Sequence, residues 1–395
     1  LENGDIITVN YIVTDGIDGN GVYNFSFSGK IVNGEETSTL TPDPFTVTTV
    51  NASRNGSNIE SLESIKYYAP KTYSAQSRAV TASDYEAIIK KIYSDTQSVS
   101  VVGGEELDPP EYGTVQISIK PKNGDLISDF NKTKILSEIK KYSIAGINQK
   151  IVDLKILYVE LDTSVYFNSN KVTSSSELKS QVTSSLTQYS NSLDLNKFGG
   201  RFRYSKVLNI IDSTNTAITS NITKIKIRRN IQALLNQFTQ YELCFGNRFH
   251  VNREGFNIKS TGFTVVGNSS LVYITDIPNS DLKTGVLSIV KRGSRGNINV
   301  VAKSAGTVDY ITGEVNLSTI NITSTEKSGN IIEIQAFPES NDVVGLKDLY
   351  LQLDISKTKI NMLEDVIASG EEKSGVVFSR SIYTSSYSNG SLNRQ

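Results

Sequence analysis

The stretch QSRAVTASDYEA, residues 76–87, joins an extended segment to a clearly marked helix start. Ser83 and Glu86 have the spacing of a capping box, in which hydroxyl and carboxylate satisfy backbone donors at the helix end reciprocally. Apolar residues then recur at i, i+3, i+4, i+7 and i+8, which is typical of a helix with one buried face. The pattern predicts a packed helix over 83–93, with a buried face made of Tyr85, Ile88, Ile89, Ile92 and Tyr93.

The residues after this helix show a strand–helix–strand rhythm. Period-two or continuous apolar runs predict strands at 98–102 and 114–119 on either side of a loop rich in Gly and Pro, 103–113. A helix is predicted at 129–142, and a long extended stretch at 151–167. The buried face of that helix is expected to contain Ile135, Ile139 and Tyr142.

A second unit repeats the rhythm. Ser174 and Glu177 again have capping-box spacing, and a helix after them would bury Leu178, Val182, Leu186 and Tyr189. The pair Gly199-Gly200 breaks the chain before a shorter helix, which leads into a strand at 222–227. The apolar face of the shorter helix is expected to contain Tyr204, Val207, Leu208 and Ile211.

Both ends of the chain look β-rich. Apolar residues alternate at 5–13 and 22–27 between glycine-rich turns. Towards the other end, strand-like runs recur and Thr312-Gly313 marks a hairpin, a density of strands and turns that favours a β-sandwich. The strand-like runs near this end are 286–290, 298–301, 331–334 and 349–355.

We therefore predict an α+β multidomain protein with a β-rich N-terminal region, central mixed α/β units and a C-terminal all-β, sandwich-like domain. The start at Leu1, in a strand-like context and without Met, suggests a fragment truncated in or before its first domain. The tail is expected to be flexible or ordered only by a partner. The predicted boundaries are 1–70 (β-rich), 71–160 (first α+β unit), 161–236 (second α+β unit), 237–370 (β-rich) and 371–395 (tail).

Composition excludes several classes of protein. The formal net charge is −1, which argues against general binding to nucleic acid or to a membrane surface. No apolar run approaches the roughly 20 residues that span a bilayer. The single Cys244 has no partner in the chain for a disulfide, which fits assembly in a reducing cytoplasm, and no signal peptide is visible.

The sequence offers few candidates for catalysis. With one His, His250, and one Cys, zinc clusters of the His-rich or all-Cys type are excluded, and a Ser-His-Asp triad would need that His. His250 is expected to be structural or at the surface. The turns at 199–201 and 293–296 combine Gly and Arg and could hold phosphate, but such turns are common, and no phosphate-binding loop of the Gly-Lys-Ser/Thr type is present.

Two charged segments each allow a functional interpretation and a purely structural one. Glu105, Glu106 and Glu111 lie in the 103–113 loop, where paired carboxylates could hydrolyse a glycoside or hold a cation. The structural alternative is that these carboxylates lie in a solvated loop without a function in catalysis or cation binding. Lys224, Lys226 and Arg228 alternate along a strand, and could meet phosphate or an acidic partner, or simply form the solvent side. We assign no catalytic, cofactor-binding or metal-binding residue and predict no cofactor.

Several segments, in order, resemble the baseplate-J-like family of contractile tails. They begin with the opening segment 4–20 and run on to the Phe-Gly-Gly-Arg-Phe motif at 198–202. The resemblance therefore covers roughly residues 1–236. Between those two ends lie Arg78-Ala79-Val80-Thr81, Asp84-Tyr85-Glu86-Ala87, Val101-Val102-Gly103-Gly104-Glu105, Pro109-Pro110-Glu111-Tyr112-Gly113 and Ile117-Ser118-Ile119-Lys120-Pro121.

The resemblance implies a structural, non-enzymatic subunit of a phage tail baseplate wedge, assembled in the host cytoplasm. Copies would pair as homodimers within and between wedges, contact other wedge proteins, close a ring around the central hub, and carry the rearrangement that accompanies sheath contraction. It implies no nucleic-acid partner and no membrane insertion. Two alternatives stay open from the residues alone, a receptor-binding module built on the β-rich 237–370 region and a cell-wall glycosidase using the carboxylate loop.

Overall fold

The computed structural model describes residues 62–365, except 94, 108, 123, 125, 173, 193–194 and 294–296. It also describes 6, 8, 13, 15–26, 31–33, 36–38, 47–49, 52–53, 59–60, 387–388 and 391–392. The chain forms two compact units, Leu1–Leu154 and Lys155–Gln395. This division lies six residues before the predicted boundary at 160; the other predicted boundaries stay predictions.

The described part of the N-terminal region contains less strand than predicted. Strands β1 (Ile31–Asn33) and β2 (Glu36–Ser38) form a short antiparallel pair. The alternating run at 22–26 is not a strand, because it makes only isolated hydrogen bonds such as Ser53 N to Val22 O (2.8 Å). Most of the predicted strand at 5–13 lies outside the described residues.

The first unit is a small α/β layer. Its sheet has the order β3-β4-β5, with β3 and β4 antiparallel and β4 and β5 parallel. Helix α3 makes the crossover between the parallel strands, as the predicted strand–helix–strand rhythm requires. The elements are α1 (Leu62–Ala75), α2 (Ala82–Ile92), β3 (Thr96–Gly103), β4 (Thr114–Pro121), α3 (Asp129–Ile139) and β5 (Asn148–Val152).

The buried face of α2 confirms the apolar pattern of the sequence. Tyr85, Ile88 and Ile89 are buried, and Ile92 and Tyr93 pack against the same cluster. Opposite them lie buried residues of β3, β4 and α3, among them Val101, Ile117, Ile119, Ile135 and Ile139. Helix α1 was not predicted; it crosses the expected boundary at residue 70, and its side chains are mostly exposed.

The capping box of α2 lies two residues earlier than predicted. Thr81 is the N-cap, its hydroxyl accepts a hydrogen bond from Asp84 N (3.3 Å), and Asp84 Oδ2 accepts one from Thr81 N (2.8 Å). Glu86, the predicted capping partner of Ser83, instead pairs with Lys71 at 3.0 Å. A helix that starts at Ala82 leaves Ser83 inside the first turn, where it cannot cap.

The second unit is dominated by strands. Its first elements are β6 (Lys155–Phe167), α4 (Ser175–Ser190), β7 (Lys197–Phe198), β8 (Arg201–Phe202), α5 (Tyr204–Ser213) and β9 (Ile218–Gln232). The next strands are β10 (Phe238–Cys244), β11 (Lys259–Ser260), β12 (Phe263–Val265), β13 (Asn268–Pro278), β14 (Thr284–Arg292), β15 (Ile298–Asp309) and β16 (Glu314–Thr325). The last are β17 (Ile331–Ala336), β18 (Val343–Val344), β19 (Leu349–Leu353), β20 (Lys359–Glu364), β21 (Tyr387–Ser388) and β22 (Ser391–Leu392).

One 13-stranded sheet runs through this unit. Eleven strands follow the path β10-β16-β15-β14-β13-β11-β17-β9-β6-β19-β7, and β12 and β20 pair off it. Its centre is the antiparallel pair of β6 and β9, from Tyr158 opposite Arg228 to Phe167 opposite Ile218, with a register shift after Tyr166. Strands β19 and β20 run parallel to β6 on its other side. The long stretch predicted at 151–167 is thus two strands, β5 and β6, which belong to different units.

The C-terminal strands do not form the predicted sandwich of two separate sheets. Strand β12 pairs with both β13 and β16, and the pairs β13–β14, β14–β15 and β15–β16 complete an antiparallel ring of five strands. Closing strands on one another covers much of their edges, which a sandwich leaves open. The hairpin predicted at Thr312-Gly313 is confirmed between β15 and β16, with Gly313 at a φ of 72°.

Helices α4 and α5 supply the predicted apolar stripes to the core. In α4 the buried side chains are Leu178, Val182, Leu186 and Tyr189. Ser174 is its N-cap, as expected, but its side chain makes no capping hydrogen bond. In α5, Val207 and Ile211 are buried, and Leu208 is half-buried. No helix in the described part of the chain is long and apolar enough to cross a membrane.

The corrected capping box makes a testable prediction. Thr81→Ala removes the acceptor for Asp84 N, so we expect the free energy of local opening of α2 to fall by about 0.5–2 kcal/mol. Ser83→Ala is the matched control and leaves that free energy within about 0.5 kcal/mol. Native-state hydrogen exchange of the α2 amides measures both, and equal losses in the two variants would contradict the assignment.

The same capping box predicts a pH dependence. Burial alone would raise the pKa of Asp84, but hydrogen bonds from Thr81 and Val80 outweigh it and lower the pKa. A lowered folded-state pKa stabilises the helix above the ordinary carboxyl pKa, and the contribution is lost as pH falls through the lowered value. Asp84→Asn should abolish this acid-induced loss of α2 protection.

Candidate functional site

The predicted basic strand is part of a buried charge network rather than a basic surface. In β9 and β6, Lys224 lies opposite Asp162, Lys226 opposite Glu160, and Arg228 opposite Tyr158. Lys226 and Asp162 approach to 3.8 Å. Because acidic residues lie across from the cations, the strand offers no free basic face for phosphate.

Arg228 is the centre of this network, and its side chain is only 3% exposed. Its Nε donates to Glu160 Oε1 at 2.5 Å and one terminal nitrogen to Asp354 Oδ2 at 2.6 Å. The other terminal nitrogen donates to Asn230 Oδ1 at 2.6 Å, and the guanidinium lies 4.0 Å from the centre of the Tyr158 ring. The solvent-side interpretation of this strand was therefore wrong for Arg228 and right for the exposed Lys224.

Strand β17 and the turn after β19 complete the network. Glu333 accepts from Lys357 and lies 3.5 Å from Arg228, and Gln335 donates to Glu160 Oε2 at 2.7 Å. The turn itself is fixed because Asp354 N donates to Val159 O at 2.9 Å. The network thus joins β6, β9, β17 and the β19–β20 connection, and its charges are two cations against three carboxylates.

The opposite face of β9 carries a second buried arginine. Arg229 is 8% exposed and lies on the apolar side of the sheet with Ile227 and Ile231. One terminal nitrogen donates to Cys244 O at 2.6 Å. Burial lowers the pKa of Arg229 and raises that of the half-buried Cys244 thiol. A thiol with a raised pKa is less often the reactive thiolate at neutral pH.

The carboxylate loop, residues 103–113, is solvated, as its structural interpretation predicted. Glu105, Glu106 and Glu111 are exposed, and Glu111 lies 3.4 Å from Lys150. The loop closes tightly because Glu111 N donates to Gly104 O (2.8 Å), and a Cβ on Gly104 would lie 1.8 Å from Glu111 O. A glycosidase needs two carboxylates that flank the scissile bond, and the exposure of these three residues gives no support for such a site.

The remaining candidates do not gather into a site. His250 is exposed; its backbone N donates to Phe337 O at 2.9 Å. The 199–201 turn belongs to the short pairing of β8 with β18, and the centre of the 293–296 turn lies outside the described residues. Within the described ranges, no group of three or more His, Cys, Asp or Glu side chains could hold a metal ion.

In the described part of the chain, the buried and half-buried polar side chains around Arg228 form hydrogen bonds and ion pairs with one another. Glu160, Glu333 and Asp354 were not predicted as partners of Arg228. A signal for Glu160 existed: Glu160 and Asp162 alternate in one strand as Lys226 and Arg228 do in another. Opposite charges at period two on two long strands favour an antiparallel pair.

Two family models match adjoining parts of this chain. Residues 81–152 match "Baseplate structural protein gp6, C-terminal domain I", and residues 155–230 match "Baseplate structural protein gp6, C-terminal domain III". These two stretches are gp6-like. The junction between the two matches coincides with the division of the structure after Leu154.

A curated relative supports the gp6-like assignment. The baseplate wedge protein gp6 of Enterobacteria phage T4 is 25% identical over 238 residues, which is 57% of this chain and 34% of that protein. The chain thus aligns with about a third of the relative's length.

A solved structure is also similar in part. A chain in the cryo-EM structure of the anti-feeding prophage baseplate, 6-fold symmetrised, is 14% identical and covers 45% of this chain and 42% of its own, with a TM-score of 0.33. A score this low does not support a shared fold.

The charge network makes a prediction about stability. Arg228→Met keeps the side-chain volume but leaves Glu160 and Asp354 buried without their cation. We expect the free energy of unfolding to fall by about 3–5 kcal/mol, the cost of breaking a buried ion pair. Urea denaturation of the full chain, followed by circular dichroism of the sheet, measures the loss.

Lys224→Met, four residues earlier in β9, is the matched control. Its exposed side chain should change the free energy of unfolding by no more than about 0.5 kcal/mol. If Arg228→Met and Lys224→Met were equally stable, the network would not hold the four elements together.

Proposed function

We propose that this chain is a structural subunit of the wedge in a contractile phage-tail baseplate, located in the virion and without catalytic activity. The single observation that carries the proposal is the pair of adjoining gp6 matches over 81–230. The engagement of Arg228 and the exposure of the carboxylate loop agree with it, since neither forms a reactive site. Nothing in the described geometry favours the receptor-binding or glycosidase alternative.

We propose further that the chain contacts other wedge proteins and a second copy of itself. Pairing within and between wedges would join them into a ring around the hub, which would transmit the rearrangement that accompanies sheath contraction. A rotationally symmetric ring needs either isologous pairs or heterologous contacts that close. A rigid sheet with internally satisfied charges suits a subunit that must pass force between neighbours.

Electron microscopy of labelled baseplates tests both parts. A small tag inserted after the exposed Pro110 marks the first unit, and one inserted in the exposed turn at 280–283 marks the second. Unlabelled baseplates are the control. We expect tag density in the wedges, and two tags per wedge if copies pair.

Two outcomes contradict the proposal at different levels. Tag density on the tube, sheath or fibres, but not in the wedge, would rule out the wedge assignment. A single tag in every wedge would leave that assignment intact and rule out pairing within wedges.

A further inference from the structure

Strand β15 has an open edge along its first eight residues. Strand β14 pairs with β15 over most of its length, from Arg292 opposite Ile298 to Thr284 opposite Asp309. Strand β16 pairs with the other side of β15 only from Gly306 to Asp309. The later residues of β16 pair with β10 and β12 and not with β15. Among the described residues, no strand pairs with 298–305 on the side opposite β14.

The open edge carries exposed apolar side chains. Ile298, Val300 and Val301 are 52%, 47% and 46% exposed. The pairing with β14 shifts register after Val300, so Val301 is the extra residue of a bulge. Natural proteins usually blunt such an edge with proline, charge, a bulge or a covering element, because it invites pairing with another chain. Residues 298–305 contain no proline, no described strand covers them on this side, and their one charged residue is Lys303.

The surroundings of this edge are basic. Residues 284–308 contain four cations and no Asp or Glu. Lys291 donates to Ser270 Oγ at 2.7 Å, and Arg292 lies 6.0 Å from the centre of the Tyr273 ring. In the described part of the chain, neither these two side chains nor Lys303 forms an ion pair with a carboxylate. In the sheet centre, by contrast, the Arg228 guanidinium contacts three carboxylates.

We propose that the open edge of β15 at 298–305 binds an extended, acidic segment of a partner protein by strand addition. The backbone groups of the edge would give the affinity, since they can pair with an added strand. The apolar side chains select a strand with an apolar face, and the unneutralised cations select carboxylates beside it. The inference rests on β15 and its neighbours, so its failure would leave the proposed baseplate role untouched.

A model peptide tests the inference on the full chain. The probe is a fluorescein-labelled octapeptide that alternates Glu and Val. Fluorescence anisotropy measures its affinity, and hydrogen exchange shows which amides it protects. We expect saturable binding, and new protection of those 298–305 amides that point away from β14, which should exchange fast in the free chain.

Two altered peptides separate strand addition from charge attraction. The same peptide with N-methyl groups on alternate amides keeps every charge but loses donors along one edge. It should bind at least about tenfold more weakly. An octapeptide that alternates Lys and Val should bind at least as poorly, because it places cations beside cations.

Two variants of the chain control for position. Lys303→Glu reverses a charge on the open strand and should weaken binding of the Glu-Val peptide several-fold. Lys283→Glu makes the same change at the far end of β14 and should leave binding unchanged. Three results would each overturn strand addition: protection, already in the free chain, of the 298–305 amides that point away from β14; no binding at about millimolar peptide; or equal binding of the N-methylated peptide. Equal binding of the Lys-Val peptide would overturn the acidic partner.

Discussion

The register of β6 against β9 is the constraint on which the second unit depends. Side chains alternate between the faces of a strand, so a slip of one residue would exchange the two faces. In the observed register, Val159, Leu161, Ile225 and Ile227 enter the core beneath α4 and α5, while Glu160 and Arg228 meet on the other face. A slip would carry Arg228 into the apolar core and Ile227 towards the carboxylates. The core and the charge network therefore specify the same pairing.

The network also ties the gp6-like part of the chain to the strands beyond it. The second family match ends at residue 230, inside β9. Strand β17, which lies outside that match, pairs with β9 from Ile227 to Gln232 and places Glu333 beside Arg228. Strand β19 and its turn approach from the other side of β6 and supply Asp354. The sheet is thus continuous across the end of the family match, and a load on one part can reach the other through hydrogen bonds.

Local patterns in the sequence predicted helices and many strands, but not their partners. The faces of α2 and α4 were predictable because apolar spacing is a local property, and the β15–β16 hairpin because Thr312-Gly313 lies between its strands. The cap of α2 was misplaced, since Thr81-Asp84 and Ser83-Glu86 have equal spacing and only the helix start separates them. The five-strand ring was missed because β12 has three residues and pairs across long sequence separations. The carboxylate partners of Arg228 lie 68 to 126 residues away along the chain, beyond any local motif.

We infer that the gp6-like strands and the C-terminal strands form one cooperative sheet. Native-state hydrogen exchange across a urea series measures this cooperativity, because strands that open together share one free energy and one denaturant dependence. We expect the slowest amides of β6, β9 and β17 to share a single opening free energy. Opening of β17 at a distinctly lower free energy, while β6 and β9 stay protected, would contradict it.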